Sequence, residues 1–388
     1  MGLYLGTQRI TPALRVKGDD TQGKYLVTVI DYDGTILKQD HLNTGDRMVL
    51  PPHPNHSNLT FQGWSCAQGV SYDGANYYVA VTDNDITVGA YYNTLDGRTE
   101  IDIELNSTTG LTFTFKMNGT KDWGDGTTDT ATSHTYADYG HYTIKCNGTA
   151  WGSNSSTSGT FGQGQNTVNY SVRHIRIGTS NTTMNYTYAL QYCYGLQTIS
   201  ISTRTNTNIG SYFFRNCINL KALVIPEGFK TINSYNFYYL SQAQYIALPS
   251  TLTSISTYAF GYMSNLVSLS IPNGVKSLST SVCVSCSYLR FMKIPSALTT
   301  IGSSTFSSCA ALKYVKFPST ITSIGSSAFA NCRECTYDFT DCTTIPTLTS
   351  GAFNVIYPYA EIRVPASLVD SWKAANNWSS YANNIVGV

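Results

Sequence analysis

The sequence predicts a mainly β protein, with two small N-terminal β domains followed by a repeat solenoid and a short C-terminal capping helix. Three observations predict it. From about residue 172 the chain repeats itself, and before that short alternating strands are punctuated by turn residues. Charged residues make up only 12% of the chain, about half the usual share. Apolar residues, at 42%, suffice for several cores, so the missing charge is a property of the surface. That surface must be built from Ser, Thr, Asn, Gln and Tyr. The 29 tyrosines suit half-buried pleated surfaces. A chain of 388 residues implies about two to four domains. A net charge of +1 argues against nucleic acid or an anionic membrane as partner. No run approaches the ~18 apolar residues of a membrane span.

The repeat is justified column by column. Units begin at Leu220, Ala243, Leu266, Leu289 and Leu312, each 23 residues after the last. Apolar residues recur three and five positions on, as at Leu223 and Ile225 or Val315 and Phe317. Proline follows at Pro226, Pro249, Pro272, Pro295 and Pro318. This is a short strand stopped by a residue that cannot donate to a ladder. Ile209, Ile232, Ile255, Leu278, Ile301 and Ile324 form another column. So do Phe214, Phe237, Phe260, Phe306 and Phe329, with Cys283 in the missing place, and Cys193, Cys217, Leu240, Met263, Cys286, Cys309 and Cys332. Constant spacing stacks equivalent side chains in neighbouring rungs. Looser units near Val172 and Leu196, and the return of the pattern at Ile362, Val364 and Pro365, bring the expected total to nine rungs. Leu368, Val369, Trp372 and Ala375 lie at helical spacing, with Trp378, Tyr381 and Ile385 beyond, and predict a cap over the last rung.

The phrases IPSALTTIGSSTFSSCAALKYVKFP and FPSTITSIGSSAFANCRE resemble the BspA-like class of leucine-rich repeats. The resemblance covers more than half of the chain. It implies a leucine-rich-repeat solenoid used for adhesion, as on the surfaces of host-associated bacteria and in phages of gut bacteria, and it implies binding rather than chemistry.

The expected boundaries are an N-terminal arm at 1–22, a first β domain at 23–95, a second at 96–150, a Gly/Ser/Thr/Asn-rich linker at 151–168, the solenoid at 169–365 and the cap at 366–388. Asp33-Gly34 between alternating strands is a hairpin signal. With NLTFQGWS and ITVGAYYN, the first domain resembles the β-grasp-like repeats of bacterial surface proteins, of the Listeria–Bacteroides type. DWGDGTTDTATSHTYADYGHYTIKC resembles the PKD-type β-sandwich. That resemblance implies an inward-packed Trp123, a tight turn at Gly124 and Gly126, and hydrogen-bonding roles for Asp125, Asp129 and His134 rather than metal binding. Asp31 and Asp33 lack the further spaced oxygens of a calcium loop.

No motif for catalysis is present: no Gly-x-Ser-x-Gly elbow, no phosphate loop, no zincin helix. His53 and His56 lie in a Pro-rich loop with no spacing that completes a metal site. The cysteines read mainly as free, buried thiols of the solenoid columns, and Cys332 of the Cys332–Cys335 pair belongs to one of them. No catalytic residue, cofactor or metal is expected.

Binding is the better question. Residues between the apolar positions of each strand are expected to face solvent, with adjacent rungs ~4.8 Å apart. They are Lys221, Ala222 and Val224; Gln244, Tyr245 and Ala247; Val267, Ser268 and Ser270; Arg290, Phe291 and Lys293; Lys313, Tyr314 and Lys316. Arg290 then lies beside Lys313 and Lys293 beside Lys316, around Phe291 and Tyr314. Like charges placed opposite one another cost stability, which marks this as a basic-aromatic patch for an anionic partner, weighed against ordinary solvated lysines. The candidate binding residues are Tyr245, Arg290, Phe291, Lys293, Lys313, Tyr314 and Lys316. The start of the chain carries no charged region followed by an apolar run. With the resemblance, this leads to the expectation of a phage virion component on a tail or head that attaches to host-surface glycans or proteins. Its N-terminal domains would contact other virion proteins, and a homo-oligomer would add avidity. The rivals are a bacterial adhesin whose leader has been removed and a structural decoration protein. Neither nucleic acid nor membrane insertion is expected.

Overall fold

Each rung folds into two short strands joined by turns, and neither strand has a partner within its own rung. The computed structural model describes residues 24–82, 85–151, 160–161, 168–180, 184, 186–203 and 208–388. The arm expected at 1–22 therefore lies outside the described residues. The strand face of the solenoid is built from Val172–Ile177, Thr198–Ile201, Ala222–Val224, Tyr245–Ala247, Ser268–Ser270, Phe291–Lys293, Tyr314–Lys316, Thr336–Asp338 and Ile362–Val364. These give about nine turns, as the repeat predicted. Pairing is parallel and follows the repeat, with Ala222 opposite Tyr245 and Phe291 opposite Tyr314. Two-residue strands such as Thr231–Ile232, Ser254–Ile255 and Thr300–Ile301 form a second parallel ladder.

The columns point inward and stack. Phe214, Phe237 and Phe260 lie at ring separations of 5.7 and 5.6 Å, and Phe306, Phe329 and Phe353 at 5.2 and 5.5 Å. The cysteines are all free and buried, and several do more than fill space. The thiols of Cys286, Cys309 and Cys332 donate to the carbonyls of Phe260, Cys283 and Phe306 in the preceding rung, at 3.1, 3.2 and 3.0 Å. The turns impose a second regularity. Two residues per rung, four apart, take left-handed backbone angles: Tyr212 and Asn216, Tyr235 and Tyr239, Tyr258 and Tyr262, Ser281 and Ser285, Ser304 and Ser308, Ser327 and Asn331. For a side chain other than glycine each such position costs about 1–2 kcal/mol, which the ladder hydrogen bonds on either side must outweigh.

Both ends of the ladder are closed by strand addition. At the C-terminus a 3₁₀ turn, Ala366–Leu368, leads into helix Val369–Ala374, and strand Ile385–Gly387 then pairs with Ile362–Val364. Trp372 and Trp378 are fully buried against Phe339 and Phe353, so neither offers a ring face to a sugar. At the N-terminus, strand Thr99–Leu105 of the second domain lies antiparallel on Val172–Ile177. Arg176 locks this junction with hydrogen bonds to Glu100 at 2.8 Å and to both oxygens of Asp102. The hydrophobic core consequently runs without a break from the second domain into the rungs. Of the segment expected to be a linker, the described residues Trp151, Thr160 and Phe161 are buried, and Phe161 packs on Phe113 and Phe115.

In the second domain, Trp123 is buried, donates to Asp129 at 2.9 Å and accepts a hydrogen bond from Tyr136 on its carbonyl. His134 stacks on Trp123 and binds Asp125 at 2.7 Å. The first domain is a four-stranded sheet, ordered Ile36–Leu42, Tyr25–Ile30, Ile86–Thr94, Leu59–Cys66, beside a small three-stranded one. Its Asp33-Gly34 hairpin closes with Gly34 donating to Asp31. Asp31 accepts from its own turn and pairs with His56 at 2.8 Å.

The position of this domain was not anticipated. It lies on the strand face of the solenoid, where Ile30 and Tyr91 share a buried cluster with Ala222, Val224 and Ala247. Ser65 Oγ donates to the Ile225 carbonyl at 2.5 Å and Ser270 Oγ to that of Asp85 at 2.7 Å. Contact is this close because Gly89 has no side chain: a Cβ there would come within 2.5 Å of Val224 and 2.8 Å of Ala247. Gly89→Val should therefore lever the domain off while both folds persist, at a cost of about 1–3 kcal/mol. Small-angle scattering should show a larger radius of gyration and hydrogen exchange a newly exposed Ala222–Ala247 face; an unchanged scattering curve would refute the docking.

Candidate binding surface

Docking of the first domain divides the strand face in two. Ala222, Val224 and Ala247 were expected to face solvent, but they are 1%, 2% and 0% exposed. The open surface expected over these rungs is thus corrected to an interdomain contact. Tyr245 belongs to that contact. It packs beside the Ile30–Ala247 cluster, where burial pushes its phenol pKa up and a hydrogen bond with Gln39 pulls the other way. The small residues were the available signal: alanine and valine at outward positions of a ladder suit a covering domain better than water.

The later rungs stay open. Phe291 and Tyr314 are 41% and 37% exposed and lie directly opposite each other on adjacent strands. Lys293 is paired in register with Lys316, and Lys313 donates its backbone N–H to the carbonyl of Arg290. The six residues expected here do come together, with Arg290 half-buried and Lys313 exposed. Two of the lysines carry a counter-charge, however. Lys313 pairs with Glu334, and Lys316 with Asp341 at 2.9 Å. Tyr314 donates to Asp338 at 2.5 Å. Asp338 stands in the strand column of Lys293 and Lys316, one rung on, whereas Glu334 and Asp341 lie in the turns on either side of that strand.

Where the first domain ends, its edge and the open rungs enclose a cleft of about 460 Å³. Phe291, Tyr314 and Lys316 line it from the ladder, and Lys24, Tyr25 and Asp85 from the first domain. Asp341 and Arg363 complete its charged groups, giving three cations against two carboxylates. The cleft is amphipathic: aromatic surface inside, charge of both signs around it.

No group of three or more His, Cys, Asp or Glu among the described residues is placed to hold a metal. Burial pushes the Cys66 thiol up to about 12 and the Cys335 thiol well above its ordinary value, away from the thiolate a nucleophile needs.

Residues 183–310 and 283–375 match, in six copies, the family described as BspA type Leucine rich repeat region. This half of the chain is a BspA-type leucine-rich repeat region. Among solved structures the chain is similar to a leucine-rich repeat protein from Bacteroides ovatus ATCC 8483, at 27% identity and a TM-score of 0.41. That match covers 51% of this chain and 48% of the other, so it spans about half the length of the Bacteroides protein. The T. pallidum Leucine Rich Repeat protein is similar at 20% identity over 47% of this chain and 83% of that one, with a TM-score of 0.38. A leucine rich cell surface protein from Faecalibacterium prausnitzii A2-165 is similar at 20% identity over 55% and 76%, with a TM-score of 0.25. No curated protein matches. Leucine-rich repeat proteins of this kind are typically non-enzymatic binding proteins, and no catalytic family is indicated.

Asp338 ties the BspA-type strand face to its acid stability. Burial alone would raise its pKa, but hydrogen bonds from Thr340 and Tyr314, with the Lys316 charge nearby, hold it below the ordinary carboxylate value. A depressed folded value adds stability above the unfolded pKa of ~3.9, and that stability is lost as pH falls through the folded one. The melting temperature should drop as the pH falls below about 4, and Asp338→Asn should make the drop shallower. A drop of the same depth in the variant would show that Asp338 is not a source of it.

Proposed function

We propose that this protein is a non-enzymatic attachment protein whose BspA-type solenoid holds an anionic surface glycan in the cleft beside the first domain. The single observation that carries this reading is the pair of exposed rings, Phe291 and Tyr314, side by side in a cleft with three cations and two carboxylates. A sugar presents apolar C–H faces that suit an aromatic surface, and hydroxyl or carboxylate edges that suit charged neighbours. The ion pairs around the cleft do not oppose this. Exposed pairs are worth ~0–1 kcal/mol, so a ligand carboxylate can replace Glu334 or Asp341 at little cost. A single such site binds weakly, and display of several copies on one particle would raise the avidity.

The carrier we favour is a phage virion, with the N-terminal domains held by other virion proteins, because repeats of this class occur in phages of gut bacteria. Proteomics of purified particles and of bacterial envelopes tests it: recovery only from envelopes would replace the virion with a bacterial adhesin. Attachment itself is tested with purified cell-wall polymers and whole cells. Phe291→Ser with Tyr314→Ser should weaken binding about tenfold. Replacing Arg290, Lys293, Lys313 and Lys316 with Ser should weaken it and flatten its salt dependence. Binding indifferent to both sets would remove the cleft from consideration, and no binding at all would leave the solenoid as a spacer.

A further inference from the structure

A different surface lies on the turns, away from the cleft. In the early rungs the left-handed positions are held by Tyr188, Tyr192, Tyr212, Tyr235, Tyr239, Tyr258 and Tyr262, with Asn216 the one exception among the described residues. Tyr188, Tyr212, Tyr235 and Tyr258 stack ring on ring at 4.8, 4.8 and 4.7 Å. Tyr239 stacks on Tyr262 at 5.4 Å, and Tyr238 bridges the rows, 5.3 Å from Tyr235 and 5.2 Å from Tyr262. The Arg215 guanidinium sits 5.6–5.7 Å from the rings of Tyr192, Tyr212 and Tyr238. Its Nε is buried without a hydrogen-bond partner, and among the described residues no carboxylate pairs with it.

The fold does not ask for tyrosine there. Later rungs put Ser281, Ser285, Ser304, Ser308 and Ser327 at the same positions, with φ of 54–63°, and their ladders continue unbroken. A bulky side chain has no advantage over serine at positive φ. The rings therefore earn their place by what they show to the outside. Within the rows the facing sides of the rings cover one another, so much of the flat aromatic surface is taken up by the stack. What the rows show outward is mainly ring edges and hydroxyls, around a cation with no counter-charge among the described residues. Tyrosine and arginine are the residues that dominate protein–protein hot spots, and tyrosine gives rigid amphipathic contact area at small entropic cost.

We propose that the turn surface from Tyr188 to Tyr262 docks a second protein, through a segment that presents a carboxylate to Arg215. The labelled full chain would be applied to an array of octapeptides carrying one central glutamate among apolar residues. The same array would hold their glutamine counterparts and oligogalacturonates. Glutamate peptides should be retained, with the glutamine forms about tenfold weaker, and Arg215→Gln should erase that difference. Tyr235→Ser with Tyr258→Ser, which installs the residue of the later rungs, should also weaken binding about tenfold while unfolding stays cooperative. Since losing the stack could itself loosen the turns, Arg215→Gln is the deciding variant. Preferential retention of oligogalacturonates, peptide binding unaffected by Arg215→Gln, or no peptide retained would each overturn the proposal. None of these variants touches the cleft, so the glycan reading stands or falls separately.

Discussion

Everything in this molecule depends on rungs meeting in register. A strand of three residues such as Tyr314–Lys316 makes no hydrogen bonds within its own rung and must find them above and below. That works only if each turn returns the chain to the same place, which the two left-handed residues per rung achieve. Strained backbone in the turns and satisfied backbone in the ladders are thus two sides of one arrangement. It also explains why side-chain columns can vary, with Leu240, Met263 or Cys286 at one position, while the period does not.

A ladder of this kind has raw edges, and the chain covers both with its own backbone. Thr99–Leu105 adds to the first rung and Ile385–Gly387 to the last. Strand addition leaves few marks on side chains because its affinity comes from main-chain groups. The C-terminal cap was legible because Trp372 and Trp378 had to be buried somewhere. The N-terminal one was not, because Ile101 and Ile103 fit equally well into a sheet that stops with its own domain.

The same asymmetry governs the binding surface. Repeat arithmetic placed Arg290 beside Lys313, Phe291 beside Tyr314 and Lys293 beside Lys316, since parallel neighbours one period apart must be adjacent. It did not supply Glu334 and Asp341, which lie in turns whose positions follow no strand column. Nor did it reveal the docked first domain, whose sequence trace is subtractive: Gly89, Ala222 and Ala247 matter for the side chains they lack. The cysteine column shows the reverse case. Small size and burial were readable, but donation of each thiol to the preceding rung requires knowing how far one turn sits from the next.

Docking changes what the solenoid can do. An isolated strand face is a shallow, continuous sheet, able to touch a partner but not to surround it. Laid across rungs 222–247, the first domain takes away part of that sheet and turns the boundary of what is left into a wall. Lys24, Tyr25 and Asp85 then line an open cleft together with Phe291 and Tyr314, where a bound group loses more of its water than on a flat surface and electrostatic contacts strengthen accordingly. The cleft is therefore a property of two domains together. A solenoid without its first domain would keep the two rings, Lys316 and Arg363 and still lack the cleft.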